Sequence, residues 1–549
     1  MRTLSIFGIA LISFARQGIA DIGCKCLPSE SCWPSKSEWT ALNESISGQL
    51  IESTPPAAAC YPSQPSYNPS ECDSILTAWT SSAFHAANPV SIDASIWANN
   101  SCNPIYPNGT SISGNTRAGV DGCSIGAYPV YVISVTEVSH IQAAFNFSSK
   151  HNLRLSIKNT GHKGAGRNTA FGSLSYVGII LDDSFVITAD NTTGIVAQKA
   201  VTIGAGVQDG ELLDTLLAQK AFAVGGANVD VGVVGWATGG GHGVMTGAHG
   251  QGADNIIEAS LVTPAGEILT ANEKQNTDIF WAIRGGGGGT FGVIFNMTLK
   301  AYPEPSLTTL ALNISGKNAT STEVWWNVIA GHLGVVPQAQ DKGVHGYFTL
   351  GMNPKSLSGS LFAWNADNAT VEAAILPLKQ FLSKTASNGT IDYTLAPIPI
   401  STVSDLLKLL PSNGSVPDRT MSGTMTISNE PIDNALNPIW RNTTLHLNDV
   451  QPWDDSIPQT DIKSLIDDMT YNSLDTLRGF DPASGAYLNE ANAYEPGWQL
   501  SFFGRSYDRL REIKNKYDPR GLLYCRQCVG SKDWIETSSG GLCKAFMPL

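Results

Sequence analysis

The sequence is poor in charge and has no cluster of cationic side chains. Charged residues make up 15% of the chain, and the formal net charge is −13. Proteins that bind nucleic acid or anionic membranes group Lys and Arg side chains into patches that meet the phosphates, and no such group occurs here. The composition therefore argues against both kinds of partner. The ordinary apolar content, 42%, predicts a sizeable buried core instead.

A long apolar run is also missing. No segment has the roughly 20 consecutive apolar residues with which a helix crosses a bilayer, so we expect no membrane span. The N-terminus has Arg2, a short apolar run over residues 4–14 and small residues at Gly18 and Ala20, an order typical of a secretory signal peptide. We expect residues 1–20 to be that signal and the protein to reach an extracellular or a vacuolar, lumenal compartment.

Cysteine is absent between Cys123 and Cys525. The remaining positions lie at the two ends of the chain, and the full set is Cys24, Cys26, Cys32, Cys60, Cys72, Cys102, Cys123, Cys525, Cys528 and Cys543. An even number in an exported chain predicts disulfides that hold an N-terminal arm and a C-terminal tail, although the pairing stays open. The Cys525-x-x-Cys528 motif leaves a redox or zinc pair possible. No second pair at metal spacing accompanies it, so we favour a structural disulfide and expect no metal site.

Asn-x-Ser/Thr motifs are frequent, which fits an exported protein. They begin at Asn43, Asn99, Asn108, Asn146, Asn191, Asn296, Asn313, Asn318, Asn368, Asn388, Asn413 and Asn442. Each motif alone is a common coincidence, but their density behind a signal peptide predicts a glycoprotein.

Changes in composition and periodicity divide the chain into four parts after the signal. We expect a Cys-rich arm at 21–120, a first domain at 121–305, a second domain at 306–484 and a returning C-terminal segment at 485–549. The predicted class is α+β, because strand-like and helix-like stretches are mixed throughout. The break around Pro303–Pro305 separates the two domains.

Periodicity places individual elements within these parts. Predicted strands cover 128–135, 153–160, 178–182, 200–206, 345–352, 358–365 and 497–504, with a hairpin over 256–271. Predicted helices cover 37–49, 137–152, 214–221, 370–386, 402–411 and 506–519.

Glycine is concentrated in three clusters, each of which follows a strand-like segment. They are Gly161, Gly164 and Gly166; Gly235, Gly239, Gly240, Gly241 and Gly243; and Gly285 to Gly289. Plain turns would account for one such cluster. Three of them favour exposed backbone amides gathered around a phosphate-bearing ligand, which needs no lysines.

Two common nucleotide motifs do not fit these clusters. None contains Gly-Lys followed by Ser or Thr, so a P-loop is disfavoured. Gly164-x-Gly166 lacks the third glycine of a Rossmann fingerprint, and strand-like sequence follows it where that fingerprint opens a helix.

Five segments together carry a specific resemblance. They are "IKNTGHKGAGR", "GWATGGGHG", "GADNIIEASLVTPAGEILTA", "NTDIFWAIRGGGGGTFGVI" and "YDRLREIKNKYDPRGLL", in this order. The chain resembles flavin-dependent oxidoreductases of the vanillyl-alcohol-oxidase superfamily, in the berberine-bridge-enzyme-like branch, and is most similar to the secreted, fungal isoamyl-alcohol-oxidase-like group. The resemblance covers about 128–305 and 487–534, whereas the second domain matches in outline only.

The resemblance implies a fold and a cofactor. Residues 121–305 would form a two-part FAD-binding domain of the PCMH type, and 306–484 an α+β substrate domain built on an antiparallel sheet. The C-terminal segment would return to the FAD domain as a strand and a helix, and Tyr487 and Asn489 would lie on a strand beside the isoalloxazine. His162 matches the histidine that bonds the 8α-methyl carbon of the flavin. Relatives with a second link have a cysteine where "NVDVG" places Asn228, so a single covalent link is expected.

The resemblance also assigns site residues. The cofactor-binding set is Asn159, Thr160, Gly161, His162, Lys163, Gly164, Gly166, Arg167, Asn228, Gly235, Thr238, Gly239, Gly240, Gly241, His242, Gly243, Gly252, Asp254, Asn255, Ile257 and Asn489. The catalytic candidates are Tyr487, His242 and Glu490, of which Tyr487 or His242 would be the base. Packing under the flavin is an equal alternative for His242, and an ordinary surface carboxylate is the alternative for Glu490.

The expected function is hydride transfer from a small alcohol or a secondary-metabolite intermediate to FAD, with O2 as acceptor and H2O2 as product. The expected protein is a monomer. One alternative is a dehydrogenase or cyclase that uses another acceptor. Another is a secreted flavoprotein that has lost catalysis and has a binding role.

Overall fold

A computed structural model describes residues 23–162, 166–167, 173–174, 179–187, 198–398, 420–451, 453, 456–537 and 540–545. Several predictions lie outside these residues: the signal peptide, Lys163 and Gly164, the motifs at Asn191 and Asn413, and the helix at 402–411.

The strands are β1 Leu50–Glu52, β2 Tyr131–Val135, β3 Ser173–Leu174, β4 Ile179–Phe185, β5 Gln198–Gly204, β6 Ala221–Ala223, β7 Ile256–Val262, β8 Ile268–Asn272, β9 Val293–Pro303, β10 Leu307–Gly316, β11 Val344–Met352, β12 Lys355–Trp364, β13 Ile391–Pro397, β14 Thr420–Thr424, β15 His446–Val450, β16 Trp534–Glu536 and β17 Leu542–Lys544. The α-helices span Lys36–Ser45, Pro69–Ala78, Ser82–Ala87, Ala118–Asp121, Val138–Lys150, Asp209–Leu217, Val233–Thr238, Thr246–His249, Gly252–Asn255, Thr277–Ile283, Thr322–Leu333, Val336–Gln340, Asn368–Ser387, Gln459–Asp468, Leu474–Phe480, Trp498–Phe503 and Tyr507–Tyr517.

The glycine-rich half, which is the part of the chain before residue 306, is built on two sheets. The larger has the order β4-β5-β9-β7-β8 with antiparallel pairs, and β6 adds to β9. The smaller has the order β1-β2-β3, in which β2 and β3 are parallel. The helix Val138–Lys150 buries Ile141 and Phe145 in the core that both sheets share. The predicted helix and the β7–β8 hairpin are confirmed.

The sheet of the second domain is antiparallel throughout, in the order β13-β10-β12-β11-β14-β15. Because strand side chains alternate between faces, Phe348 of β11 packs with the helices Thr322–Leu333 and Asn368–Ser387. Its neighbour Tyr347 contacts the core of the glycine-rich half. The expected antiparallel sheet is therefore present, with one face turned toward the glycine clusters.

Disulfides close both ends of the chain, and all ten cysteines are paired. The bonds are Cys24–Cys543, Cys26–Cys32, Cys60–Cys72, Cys102–Cys123 and Cys525–Cys528. The prediction of disulfides is confirmed, and the Cys-x-x-Cys motif forms a bond within itself. Among the described helices, none is long and apolar enough to cross a bilayer.

Three secondary-structure predictions are wrong. The segment 153–160 forms no strand and has only single bridge positions, at Leu155, which pairs with Leu523, and at Lys158. The segment 497–504 is helical, because its large side chains are buried at helical spacing, at Trp498, Phe502 and Phe503. Tyr487 lies outside any strand, and Asn489 lies in a turn. Short apolar runs fit either period, so tertiary contacts decide them.

A buried ion pair fixes the last helix against the third glycine cluster. Lys514 Nζ donates to Asp518 Oδ2 at 2.7 Å, to the Thr290 carbonyl at 2.7 Å and to the Leu523 carbonyl at 2.8 Å. Asp518 also accepts the backbone N–H groups of Leu522 and Leu523. Burial lowers the pKa of Lys514, and Asp518 opposes that shift. The carboxylate therefore keeps a desolvated ammonium charged.

We expect Asp518→Ala to lower the free energy of unfolding by about 3–5 kcal/mol, because an unpaired charge stays buried. Asp467→Ala is a matched control. It breaks another i,i+4 Lys–Asp pair, but Lys463 and Asp467 are 75% and 47% exposed, against 5% and 1% for Lys514 and Asp518. Denaturant unfolding should show no measurable change for the control. Equal losses in the two variants would contradict this account.

Candidate active site

A cleft runs between the three glycine clusters and the returning C-terminal segment. It is lined by Ile157, Lys158, Asn159, Thr160, Gly161, His162, Arg167, Ala205, Val231, Gly232, Val234, Gly235, Trp236, Gly288, Gly289, Gly292, Val293, Ile294, Tyr487, Asn489 and Glu490. The walls therefore consist largely of glycine and small apolar residues. A Cβ built on Gly235 would meet no atom within 4 Å, which shows that this backbone faces open space.

Two polar groups of the cleft have unused hydrogen-bonding atoms. His162 Nε2 is buried and has no partner among the described residues, and the same holds for Arg167 Nε. The Arg167 guanidinium lies 5.6 Å from the Phe502 ring, and burial lowers its pKa to about 9. A buried cation with few hydrogen-bond partners in a glycine-lined cleft is suited to an anionic ligand. These features fit a dinucleotide such as FAD, held by Arg167 and the glycine backbone and facing His162.

Lys158 has a different role. Its ammonium donates to the carbonyls of His85 at 3.1 Å and Asn88 at 3.0 Å, both in the N-terminal arm. Burial lowers the pKa of Lys158 to about 8. This lysine therefore ties the arm to the first glycine cluster.

A polar cluster meets the cleft at Glu490. His242 Nε2 lies 2.8 Å from Glu490 Oε1, and Asn448 Nδ2 donates to Oε2. His446 Nδ1 is 4.0 Å from Oε2. Burial alone would raise the pKa of Glu490, but the two histidines and the hydrogen bonds outweigh it and lower the value to about 2. The carboxylate is therefore ionised over the whole physiological range.

The histidines of this cluster differ in their surroundings. A carboxylate only accepts hydrogen bonds, so its contact with Glu490 places the proton of His242 on Nε2. His242 Nδ1 then faces the Tyr347 hydroxyl at 3.2 Å. Burial lowers the pKa of His446 to about 4, so this ring is neutral near pH 7.

Tyr487 and Asn489 lie directly on the second glycine cluster. The Tyr487 hydroxyl accepts hydrogen bonds from the backbone N–H of Gly241 at 3.2 Å and from Asn489 Nδ2 at 2.8 Å. Burial raises the pKa of Tyr487 far above its usual range. This phenol keeps its proton, which makes it a hydrogen-bond donor instead of a resident base.

Asp254 and Asn255 lie away from the cleft. Asp254 accepts a bidentate pair from Arg441, with Nη1 at 2.8 Å and Nη2 at 2.7 Å, and a further bond from Asn434. Asn255 donates to the carbonyls of residues 249–251 and accepts from Tyr302. Asp254 thus joins the glycine-rich half to the second domain, and Asn255 orders the loop before β7.

The sequence-predicted site residues that the structure describes divide into two groups. Those lining the cleft are Asn159, Thr160, Gly161, His162, Arg167, Gly235, Tyr487, Asn489 and Glu490. Those outside its lining are Gly166, Asn228, Thr238, Gly239, Gly240, Gly241, His242, Gly243, Gly252, Asp254, Asn255 and Ile257.

Sequence reasoning missed the contribution of the second domain. Tyr347, His446 and Asn448 come from β11 and β15 and meet Glu490 or His242 through the fold alone. No local motif marks them. The third glycine cluster was expected to help hold the ligand, but none of its residues was named for the site, and it supplies Gly288 and Gly289 to the lining.

Comparisons with known proteins agree with this geometry. Residues 129–272 match the family described as FAD binding domain, and 486–530 match the family described as Berberine and berberine like. FAD-linked oxidoreductase ZEB1 of Gibberella zeae is 32% identical, with 95% of each chain covered. VAO-type flavoprotein oxidase VAO615 of Thermothelomyces thermophilus is 30% identical, again with 95% of each chain covered.

Solved structures have the same fold. The crystal structure of the VAO-type flavoprotein MtVAO615 at pH 5.0 from Myceliophthora thermophila C1 matches with a TM-score of 0.83 and 27% identity, covering 95% of this chain and all of that one. The resemblance seen in the sequence and the predicted α+β, PCMH-type fold are thereby confirmed. The chain belongs to the berberine-bridge-enzyme-like, VAO-type family of FAD-linked oxidoreductases and is an FAD-dependent enzyme.

Proposed function

We propose that this protein is a secreted, monomeric oxidase that takes hydride from a small alcohol or a secondary-metabolite intermediate and passes the electrons to O2, giving H2O2. The observation that carries the proposal is Glu490, an ionised carboxylate held by His242 and Asn448 on the wall of the same cleft as His162. Bound FAD would supply the hydride acceptor. The five disulfides support an oxidising compartment.

Glu490 is the proposed acceptor of the substrate hydroxyl proton. Its side chain is 36% exposed, whereas that of His242 is 8% exposed behind it. A low pKa would make a poor base for an unactivated alcohol. The hydroxyl becomes strongly acidic as hydride leaves the adjacent carbon, so a weak but well-placed carboxylate suffices. His242 and Asn448 hold both oxygens in position, and Tyr487 donates to the substrate oxygen.

Substrate class and acceptor can be tested together. The purified protein is offered a panel of small aliphatic and aromatic alcohols, and H2O2 is measured in air. A parallel anaerobic assay uses an artificial electron acceptor. Peroxide with substrate consumption supports the oxidase. Turnover only with the artificial acceptor indicates a dehydrogenase, and no turnover in either assay by flavin-loaded protein indicates a binding role.

Glu490→Gln should lower kcat by roughly 10²–10⁴-fold, because the amide keeps the hydrogen-bonding shape but cannot accept the proton. Flavin content should be unchanged. Glu304→Gln, at an exposed position, is the control. Anaerobic flavin reduction by substrate measures the step directly. A variant that reduces flavin as fast as the wild type would remove Glu490 from the chemistry.

A single covalent link through His162 is proposed for the cofactor. Acid-precipitated wild-type protein should give a fluorescent band on a denaturing gel, and His162→Ala should release its flavin into the supernatant. Asn228 stands where doubly linked relatives have cysteine, so His162→Ala should keep no residual covalent flavin. Yellow supernatant from the wild type would contradict the link.

Gly235→Ala tests whether the second cluster contacts the cofactor. The added methyl group enters open space in the cleft. Position 235 lies in the helix Val233–Thr238, and Ala is favoured over Gly in a helix by about 1 kcal/mol. We expect the flavin-free protein to have unchanged or higher thermal stability. FAD should bind roughly tenfold more weakly, a loss of about 1.4 kcal/mol, because the methyl group occupies space that the cofactor needs. Wild-type affinity would place the cofactor elsewhere.

A further inference from the structure

Two imidazoles and one carboxylate meet beside the cleft. His242 comes from the second glycine cluster, His446 from β15 and Glu490 from the returning C-terminal segment. Each offers a ring nitrogen or a carboxylate oxygen that lies within 4.8 Å of the other two. We call these three residues the histidine–glutamate cluster. Its members are far apart in the sequence, so the cysteine spacing from which no metal site was expected does not report on it.

The distances in the histidine–glutamate cluster are close to those of a metal site. His242 Nε2 is 2.8 Å from Glu490 Oε1, and His446 Nδ1 is 4.0 Å from Glu490 Oε2. Ligand atoms around a tetrahedral ion with bonds of about 2.1 Å are roughly 3.4 Å apart. The observed separations lie on both sides of that value, so small side-chain movements bring the three groups to one ion.

His446 gives an independent sign that the cluster takes a ligand. Its Nδ1 atom is buried and has no hydrogen-bond partner in the part of the chain that the structure describes. The Trp440 and Tyr487 rings pack beside the imidazole, with centroids 5.6 and 5.8 Å away. A buried polar atom without a partner is costly, and that cost is removed when its electron pair binds a ligand.

One other group among the described residues has metal-ligand side chains close together, namely Cys26, Glu30 and Cys32. Its two sulfur atoms are joined in a disulfide. Cysteine binds metals as the thiolate, so these sulfurs are not available as ligands. In the described parts of the chain, the histidine–glutamate cluster is therefore the candidate metal site.

We propose that the histidine–glutamate cluster binds a borderline transition-metal dication, of which Zn²⁺ is the best match. Imidazole nitrogen is a ligand for zinc, copper, iron and nickel, whereas Mg²⁺ and Ca²⁺ take oxygen ligands. Two imidazoles and one carboxylate also leave a fourth position for a water molecule. The ligand class is thus set by two nitrogens and one negative charge.

A bound ion would stop the proposed reaction at its proton transfer. The ion takes the Glu490 oxygen that would receive the substrate proton, and it replaces the proton between that oxygen and His242 Nε2. Asn448 donates to the other oxygen, Oε2, and keeps the carboxylate in place while Oε1 binds the ion. This consequence rests on the proposed function, whereas binding of the ion does not.

The test measures metal binding first. Untagged, flavin-loaded, full-length protein is titrated with Zn²⁺ by calorimetry near pH 7, in the absence and presence of excess Mg²⁺. The wild type should bind one Zn²⁺ at a site from which Mg²⁺ does not displace it. His446→Phe keeps a ring but removes the nitrogen. It should weaken Zn²⁺ binding at least about tenfold, because changing even the groups behind metal ligands costs roughly 10–100-fold.

His151→Phe is the matched control. His151 Nε2 lies 3.7 Å from Glu38 Oε1, and among the described residues no second imidazole joins this pair in a metal-ligand group. The control should keep the wild-type Zn²⁺ affinity. Wild-type affinity in His446→Phe, or equal losses in the two variants, would overturn the proposal. If His446→Phe does not fold, Glu490→Gln decides, since unchanged Zn²⁺ affinity in that variant overturns the proposal as well.

Turnover separates this proposal from the proposed function. With a substrate from the alcohol panel, Zn²⁺ should slow anaerobic flavin reduction, and a chelator should restore it. Zn²⁺ binding that His446→Phe weakens but that leaves flavin reduction unchanged would support the site and refute the role of Glu490. No Zn²⁺ binding, together with slow flavin reduction in Glu490→Gln, would refute the metal site alone.

Discussion

The site depends on the close approach of the returning C-terminal segment to the second glycine cluster. A Cβ on Gly239 would lie 2.2 Å from Asn489 Oδ1, and one on Gly240 would lie 3.4 Å from Cε2 of the Tyr487 ring. Because these positions have no side chain, Tyr487 and Asn489 can bond the loop backbone. Glu490 follows in the same turn and reaches His242. One steric requirement thus sets both the shape of the cleft and the position of its carboxylate.

A buried ion pair fixes the position of the second domain relative to this contact. The bidentate Arg441–Asp254 interaction, reinforced by Asn434, lies a few residues before β15, which supplies His446 and Asn448. A planar guanidinium on a carboxylate fixes orientation as well as distance. The polar cluster around Glu490 therefore combines parts of three chain regions, each held by its own geometric constraint.

Sequence reasoning reached what local pattern encodes. The glycine clusters, the helix at Val138–Lys150 and the β7–β8 hairpin have local signatures, and the family resemblance added His162 and Tyr487 to the expected site. The helix at Trp498–Phe503 was predicted as a strand because a short apolar run fits both periods. His446, Asn448 and Asp93 could not be predicted, since each reaches the site only through contacts between distant segments.

Two carboxylate–histidine pairs now stand in or beside one cleft, and their surroundings separate their roles. Glu490 has donors on both oxygens and two imidazoles nearby, so it stays ionised and oriented. Among the described residues, Asp93 has a donor on one oxygen only, and the buried Nε2 of His162 has no partner. The first arrangement suits a reaction repeated at every turnover, where the acceptor must return to the same state. The second pair is 3.8 Å apart, beyond hydrogen-bond distance, so it places the N-terminal arm beside the first glycine cluster without fixing a ring proton.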